Sequence, residues 1–155
     1  MKLSTALLTA LLCLTLMPNF GLADMTESSP KPQSPSFEAG RKAVEAKDFK
    51  SALAHLTKAA EEMPKDADVQ NLLGYSYRKT GQFDKAMEHY RLALKIDPSH
   101  RGAHEYMGEL YLETGRLADA ENELQALSKA CPWFGKCEER DDLKAAIEKY
   151  KAAKK

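Results

Sequence analysis

The sequence has no excess charge and none of the short motifs that mark common catalytic sites. Its 23 lysine and arginine residues balance 23 aspartate and glutamate residues, so no broad electrostatic field attracts nucleic acid or an acidic membrane. A glycine-rich phosphate loop, a Gly-x-Ser-x-Gly elbow and a His-Glu-x-x-His helix are all missing. A basic stripe suited to nucleic acid is missing too. These absences argue against an enzyme and against nucleic-acid binding, and the sequence predicts no cofactor.

A long hydrophobic run occurs only at the start of the chain. Lys2 precedes an apolar stretch over residues 3–17, Pro18 ends it, and small residues follow up to Ala23. This order is typical of a secretory signal peptide over residues 1–23, cleaved near Ala23. A membrane anchor is the alternative, but the run is shorter than the roughly 20 residues that span a bilayer. We therefore expect a periplasmic or secreted protein without a membrane span after cleavage.

Cysteine is scarce, with three residues in the chain. Removal of a signal peptide would take Cys13 and leave Cys131 and Cys137, an even pair that favours a disulfide in an exported protein. Metal ligation and a regulatory thiol pair are the alternatives for these two residues. We expect Trp133 and Phe134, which stand between them, to pack the last helix onto the rest of the fold. An exposed aromatic contact for a partner is the alternative.

The sequence does contain a repeat with a period of 34 residues. Three sets of residues recur at that spacing: Gly40, Gly74 and Gly108; Ala52, Ala86 and Ala120; Pro64, Pro98 and Pro132. Apolar residues at helical spacing accompany each copy, and no strand pattern competes with them. This register resembles the tetratricopeptide repeat (TPR) family, and the resemblance extends from Ser34 to about Phe134.

The resemblance implies an all-α, right-handed solenoid of seven helices. Three helix-turn-helix repeats would occupy residues 34–66, 67–100 and 101–134. A capping helix would follow within residues 135–155, beginning at Asp141 or Asp142. The segment before the repeats, residues 24–33, is polar and contains proline, which is typical of a flexible linker.

Two positions of the repeat have a simple steric reason. Gly74 and Ala86 are small because two helices of a hairpin cross closely, and a larger side chain would push them apart. Gly81 stands in the turn, where a positive φ is useful. Lys47 occupies the same turn position in the first repeat, which is a departure from the family pattern.

In this family the first helix of each repeat lines a concave face, so the resemblance implies a ligand groove there. The groove candidates are Phe37, Arg41, Glu45, Asp68, Asn71, Tyr75, Arg78, Lys79, His100, Glu105, Glu109, Leu112 and Glu113. The middle of this face is basic and aromatic, and its far end is an acidic stripe at i, i+4 spacing. We expect a protein or peptide segment to lie there with its basic side chains toward the third repeat. A solvated helix face is the alternative.

One TPR subclass grips the free carboxylate of chaperone tails with Lys, Asn and Arg side chains. The residues at those positions here are Phe37, Arg41, Leu72, Gly102 and Tyr106. This set of side chains is therefore missing, and the sequence gives no reason to propose that partner.

His100 and His104 are four residues apart, a spacing that would place two imidazoles on one helical face as metal ligands. Two ligands make an incomplete site. His104 also stands where TPR units often place a large packing residue, so packing is the preferred interpretation.

The leading hypothesis is an exported, non-enzymatic scaffold that binds a protein or peptide in its groove. The alternative is a small metal-binding or redox-accessory protein that uses His100, His104, Cys131 and Cys137. Self-association through an uncovered end is a further expectation, because three repeats are about the minimum for stability.

Overall fold

The computed structural model describes residues 34–154, and all of their regular structure is helical, as predicted. The helices are α1 (Pro35–Glu45), α2 (Phe49–Glu62), α3 (Ala67–Lys79), α4 (Phe83–Ile96), α5 (Arg101–Glu113), α6 (Leu117–Ala130) and α7 (Glu138–Ala153). The first six pack as three hairpins, and α7 packs against α5 and α6. None of these seven helices is long and apolar enough to cross a membrane. The predicted signal peptide (1–23) and linker (24–33) lie outside the described residues.

Polar side chains set the first residue of several helices. Oxygens of Ser34, Asp48 and Asp66 accept hydrogen bonds from backbone N–H groups in the first turns of α1, α2 and α3. The Nδ1 atom of His100 does the same for α5, at 3.0 Å from the backbone nitrogen of Ala103. Each of these residues satisfies a donor that a helix N-terminus leaves unpaired.

The turns inside the three hairpins share one backbone conformation. Lys47, Gly81 and Gly115 have φ values of 59°, 75° and 78°. Glycine adopts this left-handed conformation without steric strain, whereas Lys47 carries a Cβ that makes it less favourable. The departure noted at Lys47 therefore leaves the turn geometry of the first hairpin unchanged.

Close helix crossings at the repeated glycines are confirmed. A Cβ atom on Gly40 would lie 2.6 Å from Leu56 of α2, and one on Gly74 would lie 2.6 Å from the Tyr90 ring of α4. Gly108 differs, because the side chain nearest to it is Leu143 of α7, at 2.7 Å from the same hypothetical atom. The last helix therefore seals the third hairpin by packing directly onto α5.

The last helix also begins earlier than the sequence suggested. It starts at Glu138 and not at Asp141 or Asp142. Its first turn is acidic, and negative charge there is favoured by the helix dipole. The buried stripe expected for a cap is present, with Leu143 and Ile147 inside.

The expectation that Trp133 and Phe134 pack the last helix onto the stack is wrong. The two residues are 99% and 86% exposed. Cys137 and Leu143 occupy the interior at this junction, with exposures of 1% and 0%. The short loop between α6 and α7, which turns at Gly135 with φ 106°, therefore holds both aromatic rings in solvent.

This exposure predicts that both aromatic residues contribute little to stability. The double substitution Trp133→Ala and Phe134→Ala should change the free energy of unfolding by no more than about 0.5 kcal/mol. Urea unfolding followed by far-ultraviolet circular dichroism measures this. Ile147→Val is the positive control, since loss of one buried methyl group costs about 1 kcal/mol. A larger loss in the double variant than in the control would mean that the rings are packed in solution.

Cys131 and Cys137 flank the same loop. Their Cα atoms are 5.9 Å apart and their sulfur atoms are within bonding distance, a separation that fits a disulfide. A closed loop this short would stabilise the fold by about 2 kcal/mol in the chain-entropy model. We expect the protein to lack free thiols at Cys131 and Cys137 under oxidising conditions, and to lose about that much stability on reduction. Mass spectrometry after alkylation, with and without reduction, checks the bond, and two alkylated cysteines in the unreduced sample would refute it.

Candidate functional site

The first helices of the three hairpins lie side by side, because α3 contacts both α1 and α5. In a stack of helix hairpins this surface is the concave one. We call it the groove, and it is the face of α1, α3 and α5 that carries the predicted ligand residues. At its far end Ala146 of α7 lies beside Leu112 and Glu113 of α5 around a cleft of about 200 Å³.

Arg78 is the central charge of the groove, and its side chain is only 2% exposed. Its guanidinium nitrogens lie 2.5 Å from Glu109 Oε2 and 3.3 Å from Glu113 Oε1. Its Cζ atom is also 5.7 Å from the ring centre of Tyr75 and 5.8 Å from that of Tyr106. The sequence suggested a basic centre facing an acidic end. The structure joins the two, so Arg78 is already neutralised within the protein.

Aromatic rings form the floor of the groove around this cation. The ring centres of Tyr75 and Tyr106 are 4.8 Å apart, and Phe49 is 6.0 Å from Tyr75. Lys79 is exposed and places its Nζ 5.1 Å from the Tyr75 ring centre. Tyr106 was absent from the predicted groove residues, although its register position in the third repeat is one that the chaperone-binding subclass uses. Half-buried aromatic rings of this kind suit contact with a partner.

Glu105 is buried near the acidic end of the groove, with 8% exposure. Burial, followed by the charges of Glu109, Asp142 and Glu139, raises the pKa of Glu105 to about 8, and the positive charge of Arg78 offsets this only in part. At neutral pH this carboxyl group is therefore mainly protonated in the free protein. Glu139 and Asp142 belong to α7 and were not among the predicted groove residues. Their i, i+3 spacing on a helix that packs onto α5 was the signal for placing them here.

Two other predicted groove residues, Arg41 and Asn71, have different surroundings. Arg41 is exposed and pairs within α1, at 2.9 Å from Glu38 and 2.7 Å from Glu45. Asn71 is buried, and its Oδ1 has no hydrogen-bond partner in the described part of the chain. The structure therefore brings Tyr75, Glu109 and Glu113 into contact with Arg78, and Lys79 and Leu112 line the same cleft.

His100 and His104 have separate hydrogen-bond partners. His100 Nε2 lies 3.1 Å from Asp68, and its Nδ1 caps α5. His104 places Nδ1 2.7 Å from Glu123 and Nε2 3.0 Å from the carbonyl oxygen of Pro98. Across residues 34–154, His, Cys, Asp and Glu form no group of three or more that could hold a metal ion. Packing and hydrogen bonding account for both rings.

His104 should make stability depend on pH above about 6.5, its unfolded pKa. Burial lowers the pKa of His104, but the hydrogen bonds to Glu123 and to the Pro98 carbonyl outweigh burial and raise it overall. The raised pKa means that this stabilisation is complete below pH 6.5 and is lost as pH rises through the folded pKa. Between pH 5.5 and 8.5, the free energy of unfolding of the Glu123→Gln variant should therefore fall by about 1 kcal/mol less than that of wild type.

Thermal unfolding at both pH values, in wild type and in the Glu123→Gln variant, measures this difference. Glu105 contributes equally to the pH dependence of stability in both proteins, so its effect cancels in the difference between them. Equal pH slopes in the two proteins would show that the His104–Glu123 pair does not form in solution.

Comparisons with known proteins support the repeat assignment. Residues 67–100 match the tetratricopeptide repeat family. The chain is 28% identical, over 131 aligned residues, to the protein CTR9 homolog of Arabidopsis thaliana, in a match that covers 77% of this chain and 12% of that protein. The chain therefore spans a small part of this relative.

Solved structures share the fold. The Yersinia enterocolitica type III secretion chaperone SycD in complex with a peptide of the translocator YopD is similar with a TM-score of 0.68 and 18% identity, covering 77% of this chain and 92% of that one. The TPR2B domain of yeast Sti1, in a complex with pHsp70, is similar with a TM-score of 0.67 and 18% identity. This match covers 74% of this chain and 94% of that one. At this identity the likeness shows the fold alone, which is a TPR helical solenoid.

Proposed function

We propose that this protein is an exported, non-catalytic scaffold whose groove binds an extended segment of another protein. The observation that carries the proposal is the Tyr75 and Tyr106 surface around Arg78, on the concave side of the helix stack. A partner segment can cover these rings and reach the polar groups beside them. Arg78 fixes the position of the floor because it is bonded to α5 and packed against both rings.

The fold favours such a role. The first helices of a TPR stack present a continuous concave surface whose shape is set by packing behind it. Two proteins with the same fold hold a peptide or partner. The carboxylate-gripping residues of the chaperone-binding subclass are missing here, so the proposed segment is held by its side chains along the groove and not by a free C-terminus.

Export follows from the signal-like N-terminal run, and the non-catalytic role follows from the missing catalytic motifs. Cleavage near Ala23 in a secreting host would support export. N-terminal sequencing of the protein recovered outside the cytoplasm checks it, and an intact Met1 in that fraction would count against cleavage.

A displayed peptide library, selected on the purified protein, tests the groove. Selected peptides should bind wild type and lose at least about tenfold in affinity with Tyr75→Ala, because one aromatic contact in a binding site is commonly worth 1 kcal/mol or more. His55→Ala is the matched control, since His55 is exposed on α2, outside the groove. Peptides that bind the Tyr75→Ala variant as tightly as wild type would place the binding surface elsewhere.

A further inference from the structure

One of the least exposed polar side chains of the groove, Glu105, has no hydrogen-bond partner in the described part of the chain. Glu105 is 8% exposed, and its carboxyl oxygens make no hydrogen bond or ion pair within residues 34–154. Leaving a buried carboxyl group unpaired is costly. Natural proteins retain such a group mainly where it has a functional use.

A second acceptor without a partner belongs to Asn71 on α3. Asn71 is 7% exposed, and its Oδ1 has no hydrogen-bond partner within residues 34–154. Its side chain reaches α5 at Gly102, where a Cβ atom would lie 3.0 Å from Asn71 Nδ2. Gly102 and Glu105 have i, i+3 spacing and so share one face of α5. A ligand group with several hydrogen-bond donors would satisfy both Asn71 Oδ1 and the Glu105 carboxyl group.

The charges around Glu105 indicate whether that ligand group is positive or negative. The neighbouring carboxylates are Glu109 on α5 and Glu139 and Asp142 on α7. On α3, Arg78 is bonded to Glu109 and Glu113 and not to Glu105. The second nearby cation, Arg101, is directed to Glu139 at 3.5 Å. Acidic groups therefore outnumber the cations that could balance them. A positively charged ligand group would neutralise part of this excess negative charge.

We propose that Glu105 forms a subsite for a lysine or arginine side chain of the bound segment, with Asn71 as a second acceptor. This inference rests on the proposed groove function and adds the chemistry of its ligand. An ammonium or guanidinium group brings several donors and one positive charge, which matches the unpaired acceptors. The ligand cation must enter beside Tyr106, so its aliphatic stem can lie against that ring.

Binding should release a proton. In the free protein the Glu105 carboxyl group is mainly protonated at pH 7, because its pKa is raised to about 8 by burial and by the surrounding carboxylates. A bound cation favours the ionised form, so Glu105 gives its proton to the buffer and becomes the carboxylate that holds the cation. Up to one proton per bound segment is expected at pH 7, and fewer at pH 9.

A lysine-rich octapeptide interspersed with tyrosine is the probe, and its counterpart with glutamate for lysine is the negative probe. Affinity is measured by fluorescence anisotropy, and proton release by titration calorimetry in two buffers of different ionisation enthalpy. Wild type should prefer the lysine peptide and release a proton. Glu105→Gln should lose about tenfold in affinity for it, as expected for one charge-assisted hydrogen bond, and should release no proton.

Glu61→Gln is the matched control, because it removes one carboxylate from an exposed position on α2. It should change affinity less than twofold and keep the proton release. Circular dichroism of both variants confirms that they are folded.

Three results would overturn the inference. One is equal affinity of wild type and Glu105→Gln for the lysine peptide. Another is binding of the lysine peptide without proton release at pH 7. The third is that spermidine displaces the lysine peptide, binds as tightly as that peptide and releases the same number of protons, which would indicate a site for small cations. If Tyr75→Ala still abolishes binding of library peptides, the groove proposal survives while the cation subsite fails. If no peptide of either kind binds, the groove proposal itself fails.

Discussion

Replacement of Arg78 by alanine should lower the free energy of unfolding by about 3 kcal/mol, the largest effect expected at the groove. The change removes a buried cation whose side chain is 2% exposed. Glu109 and Glu113 would then face each other across the vacated space without a positive charge. Because these carboxylates are 30% and 42% exposed, water can screen them in part, which holds the loss at the lower end of the range for broken buried pairs.

Packing adds to this loss. The guanidinium lies within 6 Å of the ring centres of Tyr75 and Tyr106, and alanine would leave a gap between them. Arg78→Lys should cost less than alanine, since it keeps the charge. It should still cost about 1 kcal/mol or more, because an ammonium group cannot bond both carboxylates in the planar geometry of arginine.

A double-mutant cycle separates charge from packing. Urea unfolding of wild type, Arg78→Ala, Glu109→Gln and the double variant gives the coupling energy, for which we expect about 1 kcal/mol or more. Arg116→Ala is the matched control, since Arg116 also pairs with one carboxylate but on the surface, where its side chain is 49% exposed. That control should lose less than about 1 kcal/mol. Similar losses for Arg78→Ala and Arg116→Ala would mean that the groove network is solvated in solution.

The 34-residue period was sufficient to predict the helices, their pairing and the close crossings. Each follows from local spacing, since small residues mark a crossing and turn residues mark a loop. Lys47 shows how robust this is, because the turn keeps its conformation there although glycine is absent. The period could not predict α7 in the same way, because this helix has no counterpart in the repeat. Its start at Glu138 and the approach of Asp142 to Glu105 depend on how it packs onto α5.

Features that depend on distances between helices also could not be predicted from the sequence. The charges of Arg78 and Glu109 were both visible, and their register positions placed them on one face. That face could equally have shown a free arginine to a ligand. The pairing became evident only from the approach of α3 to α5. Trp133 is a similar case, since large apolar residues are usually buried and no pattern in an irregular loop shows that its ring points outward.

Replacement of Gly74 by valine should also lower the free energy of unfolding by about 3 kcal/mol. A Cβ atom at this position would lie 2.6 Å from two ring carbons of Tyr90 and 3.1 Å from a third. The Tyr90 ring is fully buried and rigid, so it can move only if α3 and α4 separate. Overpacking a tight core typically costs 1–3 kcal/mol, and valine adds further branches at the same contact. Valine has a better helix propensity than glycine, but this offsets the loss by only a few tenths of a kcal/mol.

Gly108→Val is the matched comparison, because the same repeat position meets a different neighbour. Its Cβ would lie 2.7 Å from the terminal methyl groups of Leu143, and these can rotate away with less displacement of the backbone. We therefore expect Gly108→Val to lose about 1 kcal/mol less than Gly74→Val in urea unfolding. Gly74→Ala should fall between wild type and valine. If Gly74→Val were as stable as wild type, Tyr90 could not be packed against α3 as the structure shows, and the spacing of the repeated glycines would need another explanation.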